Sequence, residues 1–388
     1  LKHIRRFRRL AALGITAALL TGCWDRSELN DLALVMAAGF DQAESGRILL
    51  SAQIYVPKAG GSGQDRSKGS AQGQTMVKTV EGETLADAIG NLQMQLSREI
   101  FWGHGEVFIF GEERARNGIE KDLNLLLHAR QLRERANIYV SKGKAAEILR
   151  LAPRLERDSA ESLREMSRLN KVPDVTMVKL LSMLSGAEST AVLPYIQVRR
   201  SQPGTPSNQT SPYFVGSAVL KEGRLVGLLD IQATRGLLWL KNENKDAIFT
   251  SDIAGSKGKV SMWIINHHTT LVPSIREGKW SVDAHIESKS NLLQSTSGGD
   301  VMDPEWIRRA EMGASEEIEN SVRSALEKAQ KTYRSDIFGF GELFRRHYPS
   351  QWRAVQKNWN DVFSGIDVRV HVRTRLKRPG VTNDSIPY

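Results

Sequence analysis

Apolar positions along this chain follow two different periods, and the change between them falls near its middle. Leu85, Ile89, Leu92 and Leu96 recur at helical spacing behind Thr84 and Asp87, a hydroxyl and an acid three residues apart that suit a helix start. Just upstream, residues 48–56 (Ile-Leu-Leu-Ser-Ala-Gln-Ile-Tyr-Val) are rich in branched and aromatic side chains and stop at Pro57, which reads as a strand. The pattern then predicts a strand over 106–110, a helix from 112 to about 130, a strand over 136–140 and a helix over 144–151. Pro153 and Pro173 bracket a further charged helical stretch, 155–169. Strands and helices thus alternate through this part.

The second half is patterned differently. Residues 214–220 and 225–229 flank Lys221-Glu222-Gly223-Arg224, a hairpin signal in which glycine can take a positive φ. Trp280, Val282, Ala284 and Ile286 alternate, as do Val368, Val370 and Val372, each the mark of a half-buried strand. Between them Ser315 can cap a helix whose first turn carries Glu316 and Glu317. Ile318, Val322, Leu326, Ala329 and Tyr333 would form its buried face. The fold class expected is multi-domain α+β, with alternating strands and helices in the N-terminal part. The C-terminal part should be a largely antiparallel sheet packed with helices.

Two segments break the patterning. Residues 59–74 hold five glycines and three serines with no apolar period, a flexible surface loop. The stretch 199–211 has no apolar residue besides two prolines and reads as the main boundary. The expected organisation is a leader over 1–22, an N-terminal α+β region over 23–200 (one unit, or two subdomains divided near 141–153), a linker over 201–211 and a C-terminal α+β domain over 212–388.

Composition matters most at the N-terminus. Cys23 is the one cysteine among 388 residues. Before it come Lys2, Arg5, Arg6, Arg8 and Arg9, then an uncharged run of eleven residues from Leu10 to Leu20, then Thr21-Gly22. Basic, then apolar, then small residues is the order of an export signal. The apolar run is well short of the roughly 20 residues that cross a bilayer as a helix. Leu20-Thr21-Gly22-Cys23 resembles a lipobox, in which the cysteine sulfur takes a diacylglycerol before cleavage leaves it as the first mature residue. Two acyl chains supply the two anchoring signals that stable attachment needs. The five basic residues of the leader account for half of the formal charge of +10, so the mature chain carries +5. A mildly basic, membrane-anchored protein suits an anionic surface rather than nucleic acid. The apolar fraction of 40% and the charged fraction of 25% are those of an ordinary globular protein.

Candidate chemistry is sparse. His104 and Glu106 lie in a glycine-flanked segment without metal spacing and read as a turn, with metal or acid/base work as the sharper alternative. His267 and His268 are neighbours on an expected strand, so they should point to opposite faces. Phe338-Gly339-Phe340-Gly341 lacks the strand–glycine–helix context of a phosphate loop and reads as a turn with packing aromatics. Trp352 and Trp359, seven apart, share one helical face, for core packing or for a partner. Asp25 and Glu28, beside the anchor, are candidate partner contacts. No catalytic residue, cofactor or metal site is expected.

Several of these stretches, in order, carry a resemblance. Cys23-Trp24-Asp25-Arg26-Ser27-Glu28-Leu29-Asn30-Asp31 is similar to the opening of the Ger(x)C family just after its lipid cysteine. The likeness continues through Phe101-Trp102-Gly103-His104-Gly105-Glu106, residues 111–118, 214–219, 225–227 and 234–239. It is strongest at Ser335-Asp336-Ile337-Phe338-Gly339-Phe340-Gly341-Glu342, followed by Trp352 and Trp359. Members of this family are lipoprotein C subunits of nutrient germinant receptors in spores. The resemblance implies several α+β domains and no established catalytic centre. It also implies integral membrane A and B subunits as partners at the outer face of the spore inner membrane, in a complex that senses a nutrient germinant. Two other classes compete: a lipid-anchored solute-binding protein of a transporter, which needs two repeated lobes, and a wall-acting hydrolase, which needs a positioned acid pair or metal cluster.

Overall fold

Residues 32–42 form the longest strand of the first sheet. The computed structural model describes residues 31–56, 75–128 and 134–378, apart from 187, 200, 202, 205, 207, 245, 256 and 299. Nine strands make this sheet: β1 (Leu32–Gln42), β2 (Ile48–Tyr55), β3 (Thr75–Gly82), β4 (Glu99–Phe101), β5 (Val107–Gly111), β6 (Asn137–Ser141), β7 (Thr190–Val198), β8 (Pro212–Lys221) and β9 (Arg224–Leu229). Their order is β3-β2-β1-β5-β6-β7-β8-β9, with β4 beside β1. β1, β5, β6 and β7 run parallel, and an antiparallel meander closes each side.

Strands buried on both faces read as near-continuous apolar runs. β5 shows this: Phe108 and Phe110 enter one core, Val107 and Ile109 the other. In β1 an irregularity between Val35 and Ala37 shifts the phase, so Val35, Ala38 and Phe40 face one core while Ala37 faces the opposite one. Helices cover both faces. On the first lie α1 (Leu85–Gln93), α2 (Glu112–Asn117) and α3 (Glu120–His128); on the second, α4 (Ala145–Leu149) and α5 (Ser159–Arg168). α6 (Met177–Ser185) returns to the first face through Met177 and Leu180. The start of α1 is as the sequence predicts: the Thr84 side chain accepts from Asp87 N at 3.1 Å, a cap worth about 1 kcal/mol. The helix expected over 112–130 is instead two, because Gly118 sits at φ 106 between them.

α7 (Ile231–Leu240) leads into a four-stranded sheet, β10 (Ile248–Asp252), β11 (Lys259–Arg276), β12 (Lys279–Ser295) and, last in sequence, β13 (Asp367–Arg378), in that order. Two of its three pairings are antiparallel. β13 is parallel to β12 because a helical crossover separates them. That crossover comprises α8 (Pro304–Glu327), whose last turns over Lys328–Tyr333 are π-helical, then α9 (Phe340–His347), α10 (Pro349–Val355) and α11 (Trp359–Ser364). α7 and α8 cross so closely that a Cβ on Gly236 would overlap the Ser321 carbonyl. Ile318, Val322 and Ala329 are buried as the helical stripe predicts, and Tyr333 is half-buried.

Strand pairing crosses the expected boundary, and one expectation is corrected here. β8 and β9, assigned from the sequence to a C-terminal domain over 212–388, pair with β7 and complete the first sheet. The polar stretch 201–211 thus joins two neighbouring strands of one sheet, and Asn208 O accepts from Ala152 N at 2.8 Å within it. The reason is burial on both sides. Ala218 and Leu220 fill the first core, while Val219 and Leu229 join Val192 in the core beneath the second sheet. β6 also pairs with β7, so the first sheet runs unbroken past 141–153. The correction concerns Ser315, which is a mid-helix residue and not a cap. Asp303 caps α8 and Pro304 opens it, a stronger start signal twelve residues earlier. The segments 1–30 and 59–74 lie outside the described residues.

Candidate functional site

The parallel strands β1, β5 and β6 end on one edge of the sheet, where Phe40, Phe110 and Val140 are in register. The chain leaving β5 packs its helices on one face and the chain leaving β6 packs on the other. A cleft opens outside the carboxyl ends of strands at such a switch point. Here it has a volume of about 450 Å³ and is lined by Asp41 and Gln42 at the end of β1, Gly111 at the end of β5 with residues 112–114 and Arg116 after it, and Gly143 and Lys144 after β6.

Asp41 forms the floor. Its side chain is buried and accepts from Ala145 N at 2.7 Å and Ala146 N at 3.0 Å, tying the end of β1 to α4. A Cβ on Gly111 would overlap the Asp41 carboxylate, so only glycine fits there. Burial pushes the Asp41 pKa up, while the two amide bonds and Lys144 oppose that rise. On the wall, Arg114 grips Asp122 with two bonds of 2.8 and 2.9 Å and also donates to Gln42 Oε1 at 3.3 Å. Glu112 accepts from the Tyr195 hydroxyl at 2.6 Å and from Arg116 at 2.7 Å. Burial works to raise the Glu112 pKa, but those two bonds and nearby cations outweigh it and hold it below the usual carboxylate range.

The polar groups of the cleft are thus engaged mainly with one another, and only Glu113, Arg116 and Lys144 are exposed charges at its mouth. None of the lining side chains is a histidine, cysteine, serine or threonine. Such a surface can hold a neighbour by ion pairs. Among the described residues there is no cluster of three or more histidine, cysteine, aspartate or glutamate side chains poised for a metal ion.

A second constellation explains the residues around 335–342. Asp336 is buried; its Oδ1 accepts from Phe338 N at 3.1 Å and Gly339 N at 2.9 Å. Its Oδ2 accepts from Gly341 N at 2.7 Å and from the indole Nε1 of Trp359 at 2.9 Å. Burial drives this carboxyl's pKa upward, against those hydrogen bonds. Around the loop, Trp352 and Trp359 meet edge to face at 4.7 Å, and Trp280 packs on Phe344 at 4.7 Å. The two tryptophans are therefore core, and the glycine-aromatic run is a turn nailed down by one aspartate.

The other sequence candidates separate. Glu106 accepts from Arg164 at 3.3 Å, whereas the His104 ring lies against Phe101 at 5.8 Å. The turn at 102–105 closes with Gly105 N bonded to Trp102 O at 2.9 Å. His267 faces inward onto Trp239 at 4.9 Å and His268 is exposed on the opposite face. Cys23, Asp25 and Glu28 lie outside the described residues. Asp41, Asp122 and Asp336, the buried acids that organise both constellations, were missed by sequence reasoning. The one local sign is a lone acid at the end of an apolar run, as in Phe40-Asp41.

Comparison with known proteins bears on the whole chain. A family profile described as the spore germination protein N-terminal domain matches residues 25–198, and one described as spore germination B3/GerAC like, C-terminal, matches residues 215–380. The putative spore germination protein YfkR of Bacillus subtilis is 26% identical over 95% of this chain and 96% of its own length. Spore germination protein KC of the same organism is 23% identical over 96% of each. The solved structure of the GerBC protein superposes with a TM-score of 0.59 at 17% identity, covering 88% of this chain and 97% of that one. That likeness concerns the fold.

Proposed function

This chain belongs to the GerAC-like family of spore germination proteins, and from that premise we propose that it is the C subunit of a nutrient germinant receptor. In this reading Cys23 carries a diacylglyceryl anchor that holds the protein on the outer face of the spore inner membrane. Integral membrane A and B subunits are its partners, and Asp25 and Glu28, beside the anchor, meet them. The complex senses the nutrient; this subunit contributes contacts and not a catalytic step.

One observation carries the reading: the two family domains follow each other in order and together span residues 25–198 and 215–380. The self-engaged polar walls of the cleft support a docking or structural role. The solute-binding alternative calls for two repeated lobes around a ligand, and the nine-stranded and four-stranded sheets share neither strand number nor order.

Spores lacking the protein should form normally, fail to respond to one nutrient class, and still germinate with exogenous dipicolinate. Cys23→Ala should abolish acyl labelling and restore little of the response, because the anchor raises the effective concentration of the subunit in its partners' plane. Normal responses to every nutrient in a deletion strain without a paralogue would contradict the receptor role. Undiminished palmitate incorporation into Cys23→Ala would contradict the anchor.

A further inference from the structure

The outer face of the second sheet is built from two kinds of side chain that rarely share a surface by accident. β11 changes phase at an irregularity between Ile264 and Asn266, so Val260, Met262 and Ile264 face the core before it, and Thr269 and Leu271 after it. Ile265 is left outside, 49% exposed. Beside it lie Trp263 (41%), its register partner Ile248 (56%) and Leu293 (51%), whereas the inward residues of the same strands are almost wholly covered. Next to this apolar end, Lys289 pairs in register with Arg375, and Glu287 with Arg373. Alternation along β13 sends Arg369, His371, Arg373, Arg375 and Lys377 outward. Arg369 is occupied by Asp283 at 2.6 Å. Lys289, Arg373, Arg375 and Lys377 form no ion pair among the described residues, although Glu287 stands opposite Arg373. Four free cations therefore face one acid at this end of the sheet, within a patch whose successive outward residues are about 7 Å apart along a strand and about 5 Å across strands.

β13 is also an edge strand, and an edge can recruit a further strand. Its backbone is already taken over this stretch. Thr374 N donates to Ser315 Oγ at 3.0 Å, and Leu376 N to Glu311 Oε1 at 2.7 Å, both on α8. What remains open is the face.

We propose that the outer face of β10–β13, through Trp263, Ile265, Leu293, Lys289, Arg373, Arg375 and Lys377, docks on the headgroups of an anionic phospholipid bilayer. Charge complementarity selects the occupant: unpaired Lys and Arg side chains are drawn to anionic lipid, and exposed tryptophan and aliphatic side chains enter the headgroup layer beside them. This docking builds on the membrane placement proposed above and adds a second, anchor-independent contact that would orient the subunit on the bilayer.

The test is partitioning of the intact chain onto vesicles of phosphatidylcholine alone and of phosphatidylcholine with phosphatidylglycerol. The ratio of the two partition coefficients cancels any acyl-chain contribution, so Cys23→Ala should leave the ratio unchanged even if it lowers both coefficients. Each basic side chain near such a surface contributes roughly 5-fold, so Arg373→Gln/Arg375→Gln/Lys377→Gln should lower the ratio by about 100-fold. Trp263→Ser should weaken binding to anionic vesicles with the charge kept. A matched loss of charge on exposed helix positions, Arg308→Gln/Arg323→Gln/Arg345→Gln, should change the ratio far less. Raising salt toward 1 M, where screening acts within ~3 Å, should abolish the preference. A ratio near one in the unaltered chain overturns the proposal, as does an equal fall in the matched control. Retention by an acidic peptide or an oligonucleotide without any vesicle preference also overturns it and reassigns the face to that partner. Failure of the anchor reading would appear separately, as unchanged phosphatidylcholine binding in Cys23→Ala.

Discussion

At the scale of single residues the fold depends on buried carboxylates. Asp336 receives two N–H donors on each oxygen. In Asp336→Asn one of those oxygens becomes an NH2 group facing donors, whichever way the amide turns. Losing charged hydrogen bonds and stranding buried donors should destabilise the protein by roughly 2–4 kcal/mol, read from urea unfolding. A loss below about 0.5 kcal/mol would show that the loop at 335–342 is held by its aromatics alone. Glu342 illustrates the opposite pKa direction: hydrogen bonds from Arg345 and Arg346 hold its carboxyl down at about 2. A depressed acid adds stability that is complete above its unfolded value, near 4.3, and is lost as pH falls through the folded value. The gap in unfolding midpoint between the unaltered protein and Glu342→Gln should therefore shrink between about pH 4 and pH 2. A gap that stays constant over that range would mean the pairing is not formed in solution. None of these acids announces itself in one sequence, because a buried aspartate and a solvated one have the same neighbours in the chain. The role of Asp41 depends on the amides of Ala145 and Ala146, over a hundred residues away.

At the scale of elements, local signals were read well and long-range pairing was not. The Thr84 cap, the Glu222-Gly223 turn (φ 49 and 67) and the alternation in β12 and β13 are encoded by adjacent residues, and each appears where the sequence predicts it. Assigning the 212–229 hairpin to a sheet required knowing which strand it pairs with, and nothing in the polar stretch before it reveals that β8 lies against β7. α8 was started too late because Ser315 with two following glutamates imitates a cap, while its hydroxyl in fact bonds Glu311 O at 2.8 Å. The segment 59–74 gives an element-scale prediction. β2 and β3 are paired up to Tyr55 and Thr75, so the intervening segment closes a hairpin. Replacing it with a four-residue turn shortens the closed loop and should stabilise the protein by about 1 kcal/mol. A fall in the thermal midpoint of about 5 °C or more would mean the segment packs against the domain.

At the scale of the whole molecule, two sheets of different design share apolar residues through β7, β8, β9 and α7, so the lobes are joined by a core and not by a tether. That construction suits a subunit presenting fixed surfaces to neighbours: a polar cleft on the first sheet and a basic, tryptophan-bearing face on the second. The α+β class and the family were legible in the sequence from alternation and from short motifs in order, the best of which, 335–342, turns out to be a folding device. The basic, tryptophan-bearing face was not legible, because it is assembled from four strands that only the register brings together. Membership in a receptor is the central claim, and co-purification tests it most directly. The chain should be isolated from gently solubilised spore membranes through a C-terminal tag, and its companions identified by mass spectrometry. Two integral membrane proteins, recovered in constant proportion to it and lost when Cys23→Ala is used, are the predicted result. Recovery of the protein without any multi-span companion, from membranes in which it is abundant, would contradict the account.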